Sequence, residues 1–360
     1  MLLAAGAGGL LASLGCSSAS PEDSYEAAVR KTWRTTADDV SGSSSPIREL
    51  VRYATLAPSS HNTQCWKFRI AGKAVSILPD LQRRCPAVDP DDHHLFVSLG
   101  CAAENLIQAA IANGLKGEAT FKAGADDAIE ITLEPTKQIA TPLFDAITKR
   151  QCTRAEYDAR PLSNEELKVL EQAGSGRGVR VLLLTEKQAM DKMLEYVIEG
   201  NTAQMNDRAF VEELKRWIRF SDIEAVRTGD GLFSRSSGSP SVPRWLGSTL
   251  FGLFFTAKSE NDKYARHVRS SSGIAVFVSD ANDKAHWVET GRCYERFALQ
   301  ATALGIRNAL LNQPVEVSAL RPQFASSLGI GRLRPDLVVR FGRGPEMPRS
   351  LRRPVEATLT

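Results

Sequence analysis

The amino-acid sequence predicts an α+β protein built from two homologous halves in one chain. Helical and strand-like apolar periodicities alternate along the chain, and a long helical segment occurs twice. The chain has 360 residues, of which 42% are hydrophobic and 24% charged. This is the composition of a globular protein, and the length suffices for one large domain or two ordinary ones.

The repeated segment is a helix bounded by glycines, GCAAENLIQAAIANGL at 100–115 and GRCYERFALQATALGI at 291–306. The matched pairs, each 191 positions apart, are Gly100 and Gly291, Glu104 and Glu295, Ala110 and Ala301, Ala112 and Ala303, and Gly114 and Gly305. The preceding helices, 47–57 and 164–174, also correspond, at a spacing nearer 117. The difference of about 74 positions predicts a large insertion in the second half. The alternative is the general likeness of any two alanine- and leucine-rich helices.

The N-terminal residues 1–19 are predicted to be a signal-like segment. Residues 1–15 carry no charge and are nearly all Leu, Ala and Gly, a run that is short for a membrane span but suits a signal-peptide core. Cleavage after Ala19 and lipidation of Cys16 are both compatible with the pattern, and a buried N-terminal helix is the third alternative. We therefore expect export to the periplasm or cell envelope of a bacterium, as a lipoprotein or a twin-arginine substrate whose start lies upstream. Membrane attachment would then be through the N-terminus only, and the protein would be cytoplasmic if the segment is not a signal.

The first half is predicted at 46–150, after a Ser/Asp/Ala-rich linker at 20–45. Ile47, Leu50, Val51 and Ala54 share one face of a helix that a proline opens. The further predicted elements are a hairpin of strands 66–70 and 74–78, a helix at 95–113 closed by Gly114, strands at 117–123 and 128–134, and a helix at 142–149.

The second half is predicted at 151–356. Ser163 and Glu166 form a capping box that opens its first helix, and the continuous apolar run at 179–185 indicates a buried strand. A long helix is predicted at 187–217, and 218–270 is predicted as an irregular lid insertion with an apolar patch at 245–255. The remaining predictions are a strand at 274–279, a helix at 284–304, a strand at 307–311, a helix near 316–328, a strand at 337–341 and a basic, proline-broken tail at 343–356.

Charge and cysteine content narrow the function classes. The net charge of +3 comes from 45 basic and 42 acidic residues, an excess too small to indicate nucleic-acid binding. The six cysteines form no C-x-x-C pair and no disulfide scaffold, so most are expected to be buried apolar residues. In Asp91-Asp92-His93-His94 we favour a solvated helix start over a metal site, because adjacent helical residues point apart. No metal is predicted.

The turn at 57–66, APSSHNTQCW, contains hydrogen-bonding side chains that suit neither a helix nor a strand. From the residues alone, it ends a helix and satisfies the helix's own carbonyls. The pattern Pro58-Ser59-Ser60-x-Asn62-x-Gln64-x-Trp66 also resembles the P-S-S-x-N-x-Q-P-W turn of FMN-dependent nitroreductases, with Cys65 in place of the proline. Arg150-Gln151-Cys152-Thr153-Arg154 resembles that family's R-x-S-x-R phosphate motif.

The resemblance covers about 46–356 and implies the fold and its assembly. Nitroreductases are homodimers whose FMN sites take parts from both chains. Here the turn lies in one half and the arginine motif in the other, as in the single-chain, lid-bearing subgroup similar to the mycobacterial Acg-type FMN-binding proteins. Each motif occurs once, so the resemblance implies one FMN between the halves and a monomer that imitates the dimer.

The resemblance also assigns roles. Arg150 and Arg154 would clamp the FMN phosphate, and Gln151 and Cys152 would face the ribityl chain and ring edge, where the family usually has Ser or Thr at the cysteine position. A solvated basic helix end is the alternative for this motif. The other flavin-binding positions implied are Pro58, Ser59, Ser60, Asn62 and Gln64 in the turn, Asn312 and Gln313 near flavin N5, and Arg352 and Arg353 as a second phosphate clamp. A plain basic tail is the alternative for the last two. His61, His267 and Arg269 are weaker neighbours.

FMN would carry the chemistry, so no catalytic side chain is predicted. The implied activity is ping-pong electron transfer from NAD(P)H or another donor to a nitroaromatic or quinone-like acceptor. The alternative is a flavin-sequestering or regulatory protein whose lid seals the site. Small molecules are the expected partners, and nucleic acid is not.

Overall fold

A computed structural model of the protein describes residues 20–35 and 45–360. The signal-like segment at 1–19, with its cleavage and lipidation alternatives, lies outside the described residues. Helix α1, Pro21–Thr32, occupies most of the first described range. Ser20 and Asp23 form a capping box at its start, and the Tyr25 hydroxyl donates to the Arg349 carbonyl at 2.7 Å. The prediction of a linker at 20–45 is therefore wrong for this helix, which the tail of the chain holds in place.

The first half contains one four-stranded antiparallel sheet and the helices that cover it. Its elements are α2 (Pro46–Thr55), β1 (Trp66–Ala71), β2 (Ala74–Pro79), α3 (His93–Ala112), β3 (Leu115–Lys122), β4 (Ala128–Pro135) and α4 (Pro142–Ile147). The strand order is β1-β2-β4-β3. Every element of this half was predicted within a few residues, because each is marked by its own apolar periodicity. Helix α3 has the length and composition of a membrane span, but 94% of its apolar window is buried, which identifies it as a core helix.

The second half also contains a four-stranded antiparallel sheet, with a long segment between its first two strands along the chain. Its framework elements are α5 (Asn164–Ala173), β5 (Val179–Leu184), β8 (Gly273–Ser279), α11 (Lys284–Ala303), β9 (Arg307–Leu310), α12 (Gln313–Glu316), α13 (Arg321–Ser327) and β10 (Arg334–Gly342). The antiparallel strand order is β5-β8-β10-β9. The α+β class is thus confirmed.

The insertion lies between β5 and β8. It contains α6 (Lys187–Asn206), α7 (Arg208–Trp217), β6 (Ile218–Arg219), α8 (Asp222–Thr228), β7 (Leu232–Phe233), α9 (Arg244–Phe254) and α10 (Ala257–Arg269). The prediction of a single helix at 187–217 is wrong, because the extended backbone of Asp207 ends α6 and the Asp207 side chain caps α7. The irregular stretch predicted at 218–270 was also wrong, since three helices lie in it. The three helices are short, at 7, 11 and 13 residues, and loops separate them, so no long apolar period marks them.

The two halves meet where α3 crosses α11. A Cβ added to Gly100 would lie 2.0 Å from the Val288 carbonyl oxygen, and one added to Gly291 would lie 1.9 Å from that of Val97. Only glycine allows the two backbones this close. The reciprocal contact has the form of a two-fold interface. Together with the shared strand order it supports the internal duplication, which stays a prediction.

The C-terminal tail returns to the first half. Leu359 pairs with Phe68 of β1, and the Thr360 amide donates to the Phe68 carbonyl at 3.0 Å. Because the tail must cross from β10 to β1, it runs between the halves and brings Arg349, Arg352 and Arg353 to their junction. The described cysteines are all free.

Candidate functional site

A cavity of about 610 Å³ lies between the two halves and the insertion. All but two of the predicted flavin-binding residues line it: Pro58, Ser59, Ser60, Asn62, Arg150, Gln151, Cys152, Arg154, Asn312, Gln313 and Arg352. The exceptions are Gln64 and Arg353. Tertiary folding therefore brings the turn, the arginine motif and part of the tail together, as the resemblance implied.

The turn after α2 is a strained backbone. His61, Asn62 and Gln64 have φ angles of 47°, 53° and 54°, the left-handed region that costs a non-glycine residue energy. Ser59 Oγ accepts from the Gln64 amide at 2.9 Å, and Asn62 Nδ2 donates to the Gly231 carbonyl at 2.9 Å. These bonds hold the turn in one conformation, with the insertion as part of the support.

Gln64 and Arg353 bond to each other behind the cavity wall. The Arg353 amide donates to Gln64 Oε1 at 2.9 Å, and Arg353 Nη2 donates to the Gln64 carbonyl at 2.7 Å. Gln64 Nε2 donates to the Gly229 carbonyl at 2.8 Å. The two residues thus fasten the turn to the tail and the insertion, which differs from the flavin contacts expected of them.

Arg150 is buried and already paired. Its Nε lies 3.1 Å from Glu295 Oε1 on α11, and its Nη2 donates to the Leu56 carbonyl at 2.9 Å. Burial raises the pKa of Glu295 to about 7, against the lowering effect of Arg150. Burial also acts to lower the pKa of Arg150, but the Glu295 charge outweighs it and the pKa is raised. Arg150 therefore contributes charge to the cavity wall from within an ion pair.

Arg352 and Arg349 cap helix ends on the same wall. Arg352 Nε donates to the Thr55 carbonyl at 3.0 Å, and its Nη2 donates to the Leu56 and Ala57 carbonyls at 3.1 Å. Burial, and then the neighbouring Arg150, lower the pKa of Arg352 to about 9. Cations are favourable at helix C-termini, so Arg352 orders the end of α2 where the turn begins.

Arg349 was missed by sequence reasoning. Its Nη1 donates to the Thr148 carbonyl at 2.7 Å, at the end of α4. Arg349 and Arg352 lie 4.8 and 5.0 Å from the Trp33 ring centroid, as cation–π pairs. The only sequence signal for Arg349 is the basic pattern RSLRR at 349–353. This pattern does not show which of its arginines lies at the cavity.

Arg154 differs from the other arginines of the site. Its side chain is half-buried and lines the cavity, and no hydrogen bond or ion pair joins it to any residue in the described ranges 20–35 and 45–360. After burial, its charge is the next largest cause that lowers the pKa of His61, to about 4. Arg154 is therefore a cation that faces the cavity with its donors unused by the protein.

The cavity wall as a whole is basic. Arg340, also missed from the sequence, lies on it and donates to the Thr153 and Ala155 carbonyls at 3.0 and 2.7 Å. The basic residues that line the wall are Arg150, Arg154, Lys263, Arg340, Arg349 and Arg352. The acidic residues that line it are Glu260 and Glu316. The excess of positive charge suits an anionic ligand.

Asn312 and Gln313 line the cavity at the start of α12. Asn312 Oδ1 accepts from the Val338 amide at 3.0 Å, and its Nδ2 lies 3.2 Å from His94 Nε2. Gln313 Oε1 is buried without a hydrogen-bond partner among the described residues. A Cβ at Gly200 would lie 2.8 Å from the Gln313 backbone, so α6 packs directly on this position.

Gln151 contacts the tail, and Cys152 contacts helix α11. Gln151 Oε1 accepts from the Met347 amide at 3.0 Å, and Cys152 Sγ lies 3.7 Å from the Tyr294 hydroxyl. Of the weaker candidates, His61 and His267 line the cavity, whereas Arg269 is exposed and does not. Burial, followed by the charge of Arg340, lowers the pKa of His267 to about 3, so this imidazole is neutral.

The solvated helix start expected at Asp91-Asp92-His93-His94 is wrong for the two histidines, which are buried. His93 Nε2 lies 3.0 Å from Asp336 Oδ1, and His94 Nδ1 lies 3.6 Å from Asp89 Oδ1. Asp89, His93 and His94 have ligand atoms within 4.8 Å of one another. Acidic partners elsewhere in the chain allow this burial, and single-sequence patterns do not reveal such partners.

The insertion forms the apolar side of the cavity. Leu250, Phe251, Phe254 and Phe255, from the end of α9, line it together with Tyr264 of α10. The sequence marked these residues only as an apolar patch. The site thus has a basic side made by the two halves and an apolar side made by the insertion.

A basic cavity between two α+β halves, with this turn on one wall and this arginine motif on another, is the arrangement that the resemblance to FMN-dependent nitroreductases implied. No protein-family model matches the chain. A Mycobacterium tuberculosis (strain H37Rv) protein named "Putative NAD(P)H nitroreductase Rv3131" is 23% identical over 310 residues, 83% of this chain and 85% of that protein. Another from the same strain, "Putative NAD(P)H nitroreductase acg", is 23% identical over 326 residues, 86% of this chain and 94% of that protein. These relatives confirm the resemblance to nitroreductases.

Solved structures similar to the chain carry the same type of name. The FMN-dependent nitroreductase NfnB from Mycobacterium smegmatis, in complex with NADPH, has a TM-score of 0.40 and 14% identity, over 60% of this chain and 96% of that one. A nitroreductase with bound FMN from Desulfitobacterium hafniense has a TM-score of 0.39 and 16% identity, over 62% of this chain and 98% of that one.

Proposed function

We propose that the protein is an FMN-binding oxidoreductase of nitroreductase type. The observation that carries the proposal is the basic cavity of about 610 Å³ between the halves, lined by the turn and by the arginine motif. Its size lies in the range of cofactor sites. The names of the two mycobacterial relatives support the same function.

The residues present fit FMN. Asn62 Oδ1 and Gln313 Oε1 are buried on the cavity wall without partners among the described residues, and Arg154 has its donors free there as well. Buried polar atoms need partners, and a flavin ring with its ribityl phosphate offers both donors and acceptors beside an anionic group. The basic wall matches the phosphate, and the apolar side matches the ring.

The residues that line the cavity have different roles in FMN binding. Arg154 binds the phosphate directly, while Arg150, Arg349 and Arg352 supply a fixed positive field from their ion pair and helix caps. The turn, Cys152 and Gln313 orient the flavin, and the α9 side excludes water. Bound FMN would supply the hydride-transfer chemistry, which no side chain of the protein provides. NAD(P)H is the proposed donor and a nitroaromatic or quinone the proposed acceptor, each using the cavity in turn.

Anaerobic titration of the purified protein tests this function. The protein is expected to be yellow, to release FMN on denaturation and to lose its 450 nm absorbance when NADH or NADPH is added. A colourless protein that does not bind added FMN would exclude the proposal.

A second candidate function, flavin sequestration, is favoured by one observation. The insertion lines the cavity with Leu250, Phe251 and Phe254 of α9 and with Phe255, which follows the helix, and apolar side chains in these places would help to seal a bound flavin from solvent. Under this alternative, bound FMN is not reduced by millimolar NADH or NADPH but is reduced by dithionite. Reduction by either pyridine nucleotide within a turnover timescale rules the alternative out.

One FMN per chain and a monomer are proposed as the stoichiometry. In the second half, Arg296 holds the chain where α5 ends, since its Nε and Nη2 donate to the Ala173 and Ser175 carbonyls at 3.3 and 3.4 Å. Arg296 Nη1 also donates to Glu104 Oε2 at 2.9 Å. The amount of FMN released per chain on denaturation tests the stoichiometry. The mass in solution, from light scattering, tests whether the protein is a monomer. We also propose export, tested by the N-terminal mass of the mature protein.

A further inference from the structure

Three side chains that favour transition metals converge beside the cavity. His61, Cys85 and Glu213 each offer one ligand atom, and these atoms lie within 4.8 Å of one another. Cys85 and Glu213 are buried, and His61 Nε2 is buried without a hydrogen-bond partner in the part of the chain that the structure describes. We propose that His61, Cys85 and Glu213 together bind one Zn²⁺ ion.

The three ligands come from three separate elements. His61 lies in the left-handed turn of the first half, Cys85 follows the short helical turn Leu81–Arg83, and Glu213 lies on α7 of the insertion. His61 holds a φ of 47°, which a non-glycine residue adopts at an energetic cost. Strain of this kind concentrates at functional sites. Here it places an imidazole next to a thiol and a carboxylate.

The carboxylate is held in place by the loop that carries the thiol. Glu213 Oε2 accepts from the Ala87 amide and Oε1 from the Val88 amide, each at 3.1 Å. Each carboxylate oxygen keeps a lone pair after one such bond, so both remain able to bind a metal. Amide donors that orient a metal-binding carboxylate are the outer contacts expected of a metal site.

The geometry requires only a small contraction. Zinc lies about 2.0–2.3 Å from its N, O and S ligands, which puts tetrahedral ligand atoms roughly 3.5 Å apart. Side-chain rotation can bring atoms that lie within 4.8 Å to that distance. A Cys–His–Glu set suits zinc, because zinc accepts all three ligand types and binding deprotonates the thiol. Three protein ligands leave the fourth position for water.

The second such group, Asp89, His93 and His94, is less suited to a metal. His93 lies 3.0 Å from Asp336, and His94 lies 3.2 Å from the Asn312 amide nitrogen as well as 3.6 Å from Asp89. A metal there would have to break these pairs, whereas His61 has no pair to lose among the described residues.

A cation at the first cluster would fasten the insertion to the first half. Phe210 and Leu214, on the same helix as Glu213, line the cavity. Metal binding would therefore fix one wall of the cavity and couple it to the turn. This inference does not depend on FMN binding, because its ligands are complete without the cofactor.

Calorimetric titration of the full chain, as purified and then dialysed against a chelator, tests the site with ZnCl₂ as the probe. We expect one zinc per chain, with affinity lowered at least 100-fold in Cys85→Ser and in Glu213→Gln. Cys293→Ser, at a buried cysteine outside the cluster, is the matched control and should bind as the native protein does. Zinc-edge X-ray absorption should show one sulfur at about 2.3 Å and nitrogen or oxygen at about 2.0 Å.

The proposal is overturned if the native protein binds no zinc, or if both variants bind zinc as well as the native protein does. If Cys85→Ser does not fold, as judged by circular dichroism, His61→Asn at the partly exposed position takes its place. His94→Asn separates the two clusters, because it should leave zinc binding unchanged. Loss of zinc in His94→Asn with retention in Glu213→Gln would assign the metal to the other cluster and contradict the proposal.

Discussion

Replacing Arg154 with alanine should weaken FMN binding without weakening the fold. Arg154 lines the cavity and has no hydrogen bond or ion pair within the described ranges, so its removal breaks no polar contact there. A hydrogen bond to a charged group contributes about 1.5–3 kcal/mol. Since about 1.4 kcal/mol is tenfold in affinity, the Kd for FMN should rise roughly 10- to 150-fold. The free energy of unfolding of the FMN-free protein should change by less than about 0.5 kcal/mol.

The same change at Arg150 should, unlike the change at Arg154, destabilise the fold. Arg150→Ala leaves Glu295 buried without its counter-ion, and breaking a buried pair costs about 3–5 kcal/mol. The matched control is Arg160→Ala, because Arg160 is 80% exposed and its charged partner, at 3.7 Å, is Asp158 of the same loop. This control should alter neither the Kd nor the stability.

Flavin fluorescence quenching gives the Kd, and urea unfolding followed by circular dichroism gives the stability. The reasoning is refuted if Arg154→Ala binds FMN as tightly as Arg160→Ala. It is refuted equally if Arg154→Ala destabilises the FMN-free protein as much as Arg150→Ala does.

Three further results are expected. The pKa of Glu295 is raised to about 7 from an ordinary value of 4.5, so the stability that this shift contributes is complete below pH 4.5 and is lost as the pH rises through 7. In Glu295→Gln, the free energy of unfolding, measured with urea, should therefore fall less between pH 5 and 8 than in the native protein. An equal fall in both proteins would contradict the assignment. Gly100→Ala should lower the free energy of unfolding by about 1–3 kcal/mol, because the added Cβ would meet the Val288 carbonyl. Gly124→Ala is the control, since a Cβ there meets no atom within 4 Å. Equal melting temperatures of the two variants would argue against the close crossing of α3 and α11. Gln64→Ala removes bonds to Gly229 and Arg353 and should destabilise the protein by about 1–3 kcal/mol, with a smaller effect on FMN affinity than Arg154→Ala; the reverse ranking would return Gln64 to the flavin contacts.

Much of the fold was predictable because its signals are local. The strands β1 to β4 and the helix α3 follow apolar periods within single segments, and their bounds came within a few residues. The break at Asp207 and the helices of the insertion were not predicted. Their positions depend on packing against the cavity and the tail, which a period within one segment does not record.

The candidate site was predictable in residue type and less so in contacts. The turn and the arginine motif do meet at one cavity, but Gln64 and Arg353 bond to each other behind its wall. Arg340, Arg349 and Trp33 were not predicted to belong to the site. Their places follow from the course of the tail between the halves and from the docking of α1, which are long-range features.

The motif Arg150-Gln151-Cys152-Thr153-Arg154 shows what the sequence by itself determined and what it left open. The sequence determined that two cations stand four positions apart after a helix, and that a polar turn follows an earlier helix. Only the tertiary structure decided that they differ: Arg150 is buried against Glu295, 145 positions away, whereas Arg154 faces the cavity without a partner in the described chain. The physical reason is that a charge is set by residue type, whereas its desolvation and its counter-ion are set by whatever distant segments fold against it.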